Sequence, residues 1–452
     1  MAVSGRSVTG RGLASALVLA GALLAPNLGC TTLAPPATAA FVHNLTDQPW
    51  TFGPLPSRVV DEARSRGLTP TPALARGQLA PGNSMRLWKR AETAETYWLG
   101  NGQHNLVLSP QPLVGAERPY WPRWFRSFHD RAAAVVGDVV VTFDPFGSRL
   151  GYVLRQRPAA PKHPNRLVVL VYNAFFLDGM FATGVDTRGP ALIDYLRDGA
   201  SRWDVLVLAE LFHEPTRRRV LSALAELYPY AATVVGKTRE RIGTGGLQVL
   251  SRWPILVEDE VIFRTCTDAD CGAAKGGRYL RLLKGERTFH LLATHLQAVA
   301  TPRAQRIRLQ QVQQLAELAA AQNIDPAEPL VVAGDFNIDL LVAGQGRGQG
   351  QTEMERLLDA TPVVPAGPDR CRYSYDPRSN PTAGGPKTSL PDQVLVARRR
   401  PARRATAVLE FPVVAQRGAK PRYRLLEACD ADRRGALDVS DHYALTVTLD
   451  FD

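Results

Sequence analysis

Leu330-Val331-Val332-Ala333-Gly334-Asp335-Phe336-Asn337 is the stretch on which the fold reading turns. An apolar β-type run enters a glycine turn and delivers an acid and an amide two residues apart. Alternation along an extended chain puts Asp335 and Asn337 on the same side. Such a pair suits a hard cation, or a phosphate with its attacking water. Strand-Gly-Asp turns are common in themselves, so the weight comes from recurrence of the pattern.

It recurs four more times. Leu167 to Tyr172 ends in Asn173, Val205 to Ala209 in Glu210, and Phe289 to Thr294 in His295; Ser440-Asp441-His442 precedes the strand pattern of Tyr443 to Leu449. Each apolar run predicts a strand buried on both faces, where a polar residue is costly unless it lies at the end with a partner. One such residue is an ordinary strand terminus. Five, drawn from Asn, Asp, Glu and His, predict one site assembled from several strands.

Taken in order, Tyr172-Asn173, the strand with Glu210, Thr294-His295-Leu296-Gln297, Gly334-Asp335-Phe336-Asn337, a strand start bearing Asp392, and Ser440-Asp441-His442 resemble the endonuclease/exonuclease/phosphatase superfamily. Within it the chain is most similar to the bacterial neutral sphingomyelinases. That narrower resemblance rests on Tyr228-Pro229-Tyr230, Gly245-Gly246 before Ser251-Arg252-Trp253-Pro254-Ile255, and Thr294-His295-Leu296-Gln297-Ala298. The resemblance implies an α/β fold: a DNase I-like two-sheet β-sandwich flanked by helices, over residues 165–452.

It also implies roles. Glu210 becomes the first metal ligand with Asn173 beside it, and Asp441 ligates a second metal or orients the site. His442 is the general base, since imidazole titrates near neutrality, and Asp392 orients it. Asp335 and Asn337 bind the attacking water and a phosphoryl oxygen, while His295 donates to the phosphate or leaving group. Where family members often have Leu-Asp-Tyr-Ile, this chain has Pro391-Asp392-Gln393-Val394. Mg²⁺ is the expected cofactor, other divalent cations being admissible. The expected activity is hydrolysis of sphingomyelin to ceramide and phosphocholine, by a monomer in peripheral contact with membranes. A secreted nuclease on the same scaffold is the alternative, with nucleic acid as the substrate.

The chain has 452 residues, 45% of them apolar and 21% charged, with a formal net charge of +11. These are globular values with room for two domains; the charge suits anionic polymers and anionic membranes alike and does not choose between them. Residues 1–40 read as an export signal: Arg6 and Arg11 precede an apolar segment, Leu13 to Leu24, too short to span a bilayer. Leu28-Gly29-Cys30 offers a lipid-anchoring site, with Asn27 at a position that wants an aliphatic residue; Ala37-Thr38-Ala39 offers ordinary signal cleavage. Both remain open.

Residues 41–157 predict a β-rich accessory domain with strands at Val139 to Phe143 and Leu150 to Leu154, followed by a proline-rich linker over 158–164. Tyr120-Trp121-Pro122-Arg123-Trp124-Phe125 reads as small-domain core or as a membrane-facing aromatic patch. In the second case it would share the interface with Arg398 to Arg404. Phe411, next to Pro412-Val413-Val414, is the apolar tip expected where family members often carry an aromatic-tipped hairpin. Ala304 to Gln322 has helical periodicity, and residues 344–350 form a glycine-rich loop expected to be mobile. Beyond Cys30 the four cysteines favour disulfides over zinc in an exported chain: Cys266 with Cys271 as a local loop, leaving Cys371 for Cys429.

Overall fold

The structure is a computed structural model that describes residues 17–20, 40–53, 76–88, 97–101, 105–109, 131–132, 134–146, 149–177, 184–236, 243–341, 348–368, 371–417, 420–432 and 437–452. Cys30, most of the leader, the Tyr120 to Phe125 cluster and residues 344–347 lie outside the described residues. The chain divides into two compact units, with a break between Arg157 and Pro158. The proline-rich stretch at 158–164 falls there.

The first unit is built of strands among its described residues. One of its sheets runs in the order Ser84–Trp88, Ala40–Leu45, Arg149–Gln156, Val139–Phe146, Ala134–Val136. The Val139 and Leu150 runs form the expected strands and pair antiparallel.

In the second unit the strands are β1 (Arg166–Phe176), β2 (Val205–Leu211), β3 (Gln248–Ser251), β4 (Ile255–Ile262), β5 (Gly276–Lys284) and β6 (Arg287–His295). They continue as β7 (Leu330–Asp335), β8 (Asp392–Ala397), β9 (Arg404–Arg417), β10 (Lys420–Leu426) and β11 (Ala444–Asp450). Helices α1 (Val185–Asp198), α2 (Glu214–Leu224), α3 (Pro302–Ala321) and α4 (Gln349–Leu357) intervene. One sheet is ordered β3-β2-β1-β11-β9-β10, the other β8-β7-β6-β5-β4.

Period-two alternation explains why these runs are apolar throughout. In β1 and β2, Leu170, Tyr172, Leu206 and Leu208 pack beneath α1 and α2, as Leu292, Val332 and Leu395 pack beneath α3 and α4. The intervening Val169, Val171, Val205, Val207, Leu291, Ala293, Val331, Ala333 and Val394 are also fully buried, and contacts join β1 to β7 and β8 across the two sheets. The result is a four-layer helix–sheet–sheet–helix sandwich. Burying each such side chain contributes about 1.5–3 kcal/mol, so both faces of every central strand must stay apolar until its end.

Helix α3 begins where Thr301 caps the Ala304 N–H at 3.1 Å and Pro302 takes the first turn. It turns Ile307, Val312, Leu315 and Leu318 onto the sheet. Both disulfides form as expected, Cys266–Cys271 and Cys371–Cys429, with Cα separations of 5.2 and 5.4 Å.

Strand direction sorts the remaining motifs between two poles. β1 and β2 run parallel, as do β6 and β7, whereas β8 and β11 run against them. The ends of the former and the starts of the latter therefore share one rim. At the opposite pole, Asp204 accepts from Trp253 Nε1 at 2.6 Å, from Lys284 Nζ at 2.7 Å and from the Val168 N–H at 2.8 Å. Trp253 is thus an anchor about 20 Å of strand away from the rim. The Arg398 to Arg404 turn is at that pole too: Arg404 registers with Asp450, and Arg400 donates to the Asp452 carbonyl at 2.9 Å. These arginines lie there because β8 descends from the rim and β9 climbs back to it.

Phe411, expected as an apolar tip, is corrected. It is buried against Tyr443 at 4.7 Å between ring centroids, and Val413 is fully buried. A hairpin does stand before Ser440, formed by β9 and β10, but Phe411 belongs to its packed base. No helix among the described residues is long and apolar enough to cross a membrane.

Replacing Asp204 strands the buried Lys284 ammonium. Asp204→Ala is therefore expected to lower the unfolding free energy by about 3–5 kcal/mol in urea titrations, with the chemistry at the rim unchanged in the surviving folded fraction.

Candidate active site

Strand parity brings the site together. Asn173 continues the face of Val169 and Val171, His295 that of Leu291 and Ala293, Asp335 that of Val331 and Ala333, and Asp392 that of Val394. All four side chains enter the space between the sheets at its rim, and His295 registers with Asp335 and Asp335 with Asp392. His290, on the other face, is held by Tyr279 Oη and Glu328, both at 2.7 Å, away from the rim.

Glu210 breaks the alternation. Parity would place it with Leu206 and Leu208 beneath the helices, but its φ of 55° reverses the chain. Its carboxylate reaches 3.7 Å from His295 Nε2. A non-glycine residue in this left-handed region is strained, a state that persists where surrounding structure demands it. Asn337 is similar, with φ 50°. Gly334 meets a steric demand: at φ 151°, a Cβ there would lie 1.9 Å from the Thr294 carbonyl oxygen of β6.

The amides organise the acids. Asn173 Nδ2 donates to Asp335 Oδ2 at 2.9 Å, while its Oδ1 accepts from the Phe175 N–H at 3.1 Å. The Asn173 oxygen thus accepts one backbone hydrogen bond and keeps a second lone pair facing the rim. The Asn337 N–H donates to Asp335 Oδ1 at 2.9 Å, and its side-chain amide donates to the Leu296 carbonyl at 3.2 Å. Asp335 is buried, which would raise its pKa, but His442, His295 and these amides hold it below the ordinary carboxylate value.

On the other side, His442 Nδ1 lies 2.6 Å from Asp392 Oδ2, which also accepts from Ser374 Oγ at 2.6 Å. Burial alone would push the imidazole pKa down, but the charges of Asp392, Asp441 and Asp335 push it well above its ordinary value. Pro391 and Gln393 do not disturb Asp392. The Pro391 carbonyl accepts from the Phe336 N–H at 3.0 Å, and Gln393 Nε2 donates to the Ile338 carbonyl at 2.7 Å. Ser440 Oγ ties the last motif to β1 by donating to the Asn173 carbonyl at 2.6 Å. Asp441 stands close enough to be the leading charge acting on Glu210, whose pKa is pushed up to about 7 by burial and then by that neighbour.

Three contributors escape the sequence reading. Ser374 orients Asp392, and the Tyr375 ring packs edge-on against His442 at 5.1 Å; both lie just after Cys371, whose disulfide anchors their segment. Lys275 is buried, with Nζ 3.1 Å from His295 Nε2. Nothing in the strand-end pattern points to them, although the fact that Cys371 was destined for a disulfide could have drawn attention to its neighbours. Lys275 also bears on His295, whose pKa burial and then the lysine push down to about 3. At Nε2 the lysine ammonium is the donor in this arrangement.

The donor set fits a hard divalent cation. Atoms of Glu210, His295 and Asp335 lie within 4.8 Å of one another, as do those of Asp335, Asp392 and His442. Burial raises Glu210, Asp392 and Asp441, with the charge of Asp441 adding at Glu210 and that of Asp335 at the other two, a repulsion that a cation relieves. Asp392 Oδ1 is buried without a hydrogen-bond partner among the described residues.

This rim can be compared with known proteins. The model of the endonuclease/exonuclease/phosphatase family matches residues 170–442, from within β1 to the final histidine. The chain belongs to that family. It is 28% identical over 165 residues to sphingomyelinase C of Listeria ivanovii, covering 33% of this chain and 48% of that protein. It is 24% identical over 229 residues to sphingomyelinase C of Bacillus cereus, covering 46% of this chain and 67% of that protein. The alignment thus spans about half the length of the Listeria relative. The crystal structure of SmcL superposes with a TM-score of 0.52 at 23% identity, over 64% of this chain and 100% of that one. A variant of Staphylococcus aureus beta toxin with bound magnesium ions gives 0.51 at 20% identity, over 62% and 98%. These two superpositions establish a common fold.

Metal-free stability should follow the charge of this rim. The folded protein keeps a proton on Glu210 to about pH 7, whereas an unfolded glutamate releases it near 4.5. Ionising Glu210 therefore costs stability between those values. The raised Asp392 and Asp441 act in the same direction from about their ordinary 3.8 upward and outweigh His295, which is held down at about 3 and opposes them up to its ordinary 6.5. The expected melting temperature without metal falls as pH rises from 4.5 to 7, and saturating Mg²⁺ flattens that fall in differential scanning calorimetry.

Proposed function

We propose that the chain is an exported, divalent-metal-dependent phosphodiesterase that hydrolyses sphingomyelin to ceramide and phosphocholine. The observation that carries the reading is the pairing, on one rim, of an Asp392–His442 dyad with the Glu210–Asp335 acid pair. The named sphingomyelinase C relatives support the substrate, and the N-terminal sequence supports export. The unit ending at Arg157 is then an accessory domain, and 165–452 the catalytic one.

Asp392 engages His442 through Nδ1, which leaves Nε2 as the atom that takes the proton of the attacking water. The three neighbouring carboxylates hold the ring protonated; offsetting the charge of Asp441 and Asp335 returns it toward the neutral form a base requires. Glu210 and Asp335 would hold Mg²⁺, whose charge would offset that of the phosphoryl group and polarise the ester. Asn173 keeps Asp335 aligned toward that centre. Asn337, strained at the strand end, faces the same rim and binds the water or a phosphoryl oxygen.

Three expectations test the reading. One purified preparation assayed side by side should release phosphocholine from sphingomyelin vesicles faster than from phosphatidylcholine vesicles, and should leave DNA intact. Rapid DNA degradation without phosphocholine release would favour the nuclease reading. His442→Ala should lower kcat by on the order of a hundredfold or more, with circular dichroism unchanged. Asp392→Asn should give a smaller loss, since it disturbs only the orientation of the ring.

A further inference from the structure

The Lys275 ammonium has three partners: His295 Nε2 at 3.1 Å, Asp270 Oδ2 at 2.9 Å and the Leu296 carbonyl at 3.0 Å. They account for its three N–H donors, and an ammonium has no lone pair with which to accept. Nε2 of His295 must therefore present its lone pair to the lysine and leave the ring proton on Nδ1. Nδ1 itself is buried without a hydrogen-bond partner among the described residues. The tautomer of a neutral histidine follows the bonds its two nitrogens make, so here it is decided at Nε2 alone, by Lys275.

The same Nε2 atom lies 3.7 Å from Glu210 Oε1 and 3.7 Å from Asp335 Oδ2. One imidazole nitrogen with two carboxylates is a donor set that Zn²⁺ accepts readily, whereas oxygens alone suit Mg²⁺, Ca²⁺ and Mn²⁺. With its lone pair engaged by the ammonium, the imidazole cannot ligate. We infer that Lys275 is a positioning residue that caps His295 Nε2 and keeps the cation pocket an all-oxygen site, selecting hard cations against Zn²⁺.

The cap is itself anchored. Asp270 lies in the short helical turn Asp268–Gly272, closed by the Cys266–Cys271 disulfide. Its Oδ2 also accepts the Ala298 N–H at 2.6 Å, three residues beyond His295. Disulfide loop, Asp270, Lys275 and His295 thus form one continuous chain of contacts into the pocket.

This inference rests on Glu210 and Asp335 being cation ligands, and the test separates the two claims. Full-length protein stripped of metal would be titrated calorimetrically with Mg²⁺ and, separately, with Zn²⁺, as wild type, Lys275→Met and Lys275→Met/His295→Ala. Nitrogen-15 spectra of the histidine rings, with His295 assigned by its loss in His295→Ala, report the tautomer without metal or substrate. Lys275→Met should gain tenfold or more in Zn²⁺ affinity and change less than threefold for Mg²⁺; the Zn²⁺ gain should vanish in the double variant. Its His295 ring should move from the Nδ1–H form toward Nε2–H, drawn by the two carboxylates. A folded Lys275→Met with unchanged Zn²⁺ affinity and unchanged tautomer overturns the inference. Should that variant not fold, Asp270→Asn, which loosens the lysine, should shift both readouts the same way by a smaller factor, and no shift would again overturn it. Wild-type protein that binds no Mg²⁺ would instead defeat the cation reading, and the tautomer comparison would still decide whether Lys275 sets the ring.

Discussion

Crowded negative charge at the rim of a dry sandwich is the constraint on which the rest of the structure depends. Glu210, Asp335, Asp392 and Asp441 meet where two sheets end, and three of the four are held above their ordinary pKa by burial, Asp335 being drawn back below it by its partners. Such a cluster is tolerated only when each acid has a partner or shares a cation. The amides of Asn173 and Asn337, the imidazole of His442 and the hydroxyl of Ser374 supply the partners. The remaining imbalance is what makes the rim a cation site. The apolar strands beneath it hold these groups in place, since a slip of one residue would turn Asp335 or His295 beneath the helices.

Much of this was legible in the sequence because it rests on periodicity. The runs ending in Asn173, His295 and Asp335 became strands with their polar termini facing one another. Asp392 opens its strand as expected, the α3 periodicity produced the helix, and both cysteine pairs closed. Glu210 was identified as a site residue, but its means of arrival was not: alternation sends it to the wrong face, and the left-handed backbone that corrects this has no signature in Val205-Leu206-Val207-Leu208-Ala209-Glu210. Residues that act through a partner distant in sequence were illegible for a related reason. Ser374 meets Asp392 across eighteen positions of irregular chain, and Lys275 is one of 54 basic residues until a fold brings it to His295.

Strand direction decides what periodicity leaves open. Phe411 was read as an exposed tip, while its location, like those of Arg398 to Arg404 and Trp253, depends on whether each neighbouring strand ascends or descends. Once β8 is seen to leave the rim, the arginines must lie at the far pole, where Asp450 and Asp452 meet them. Trp253 then serves the buried Asp204–Lys284 pair. Trp253 thus supports the fold without touching the chemistry at the rim.

The central claim is that Glu210 and Asp335 jointly hold a divalent cation at the rim. Its most direct test is the anomalous scattering of Mn²⁺ in crystals of the full chain grown at saturating metal. The account requires a peak bonded to carboxylate oxygens of both residues, with the His295 ring still turned to Lys275. A fully active enzyme whose crystals show no cation between Glu210 and Asp335 would contradict it.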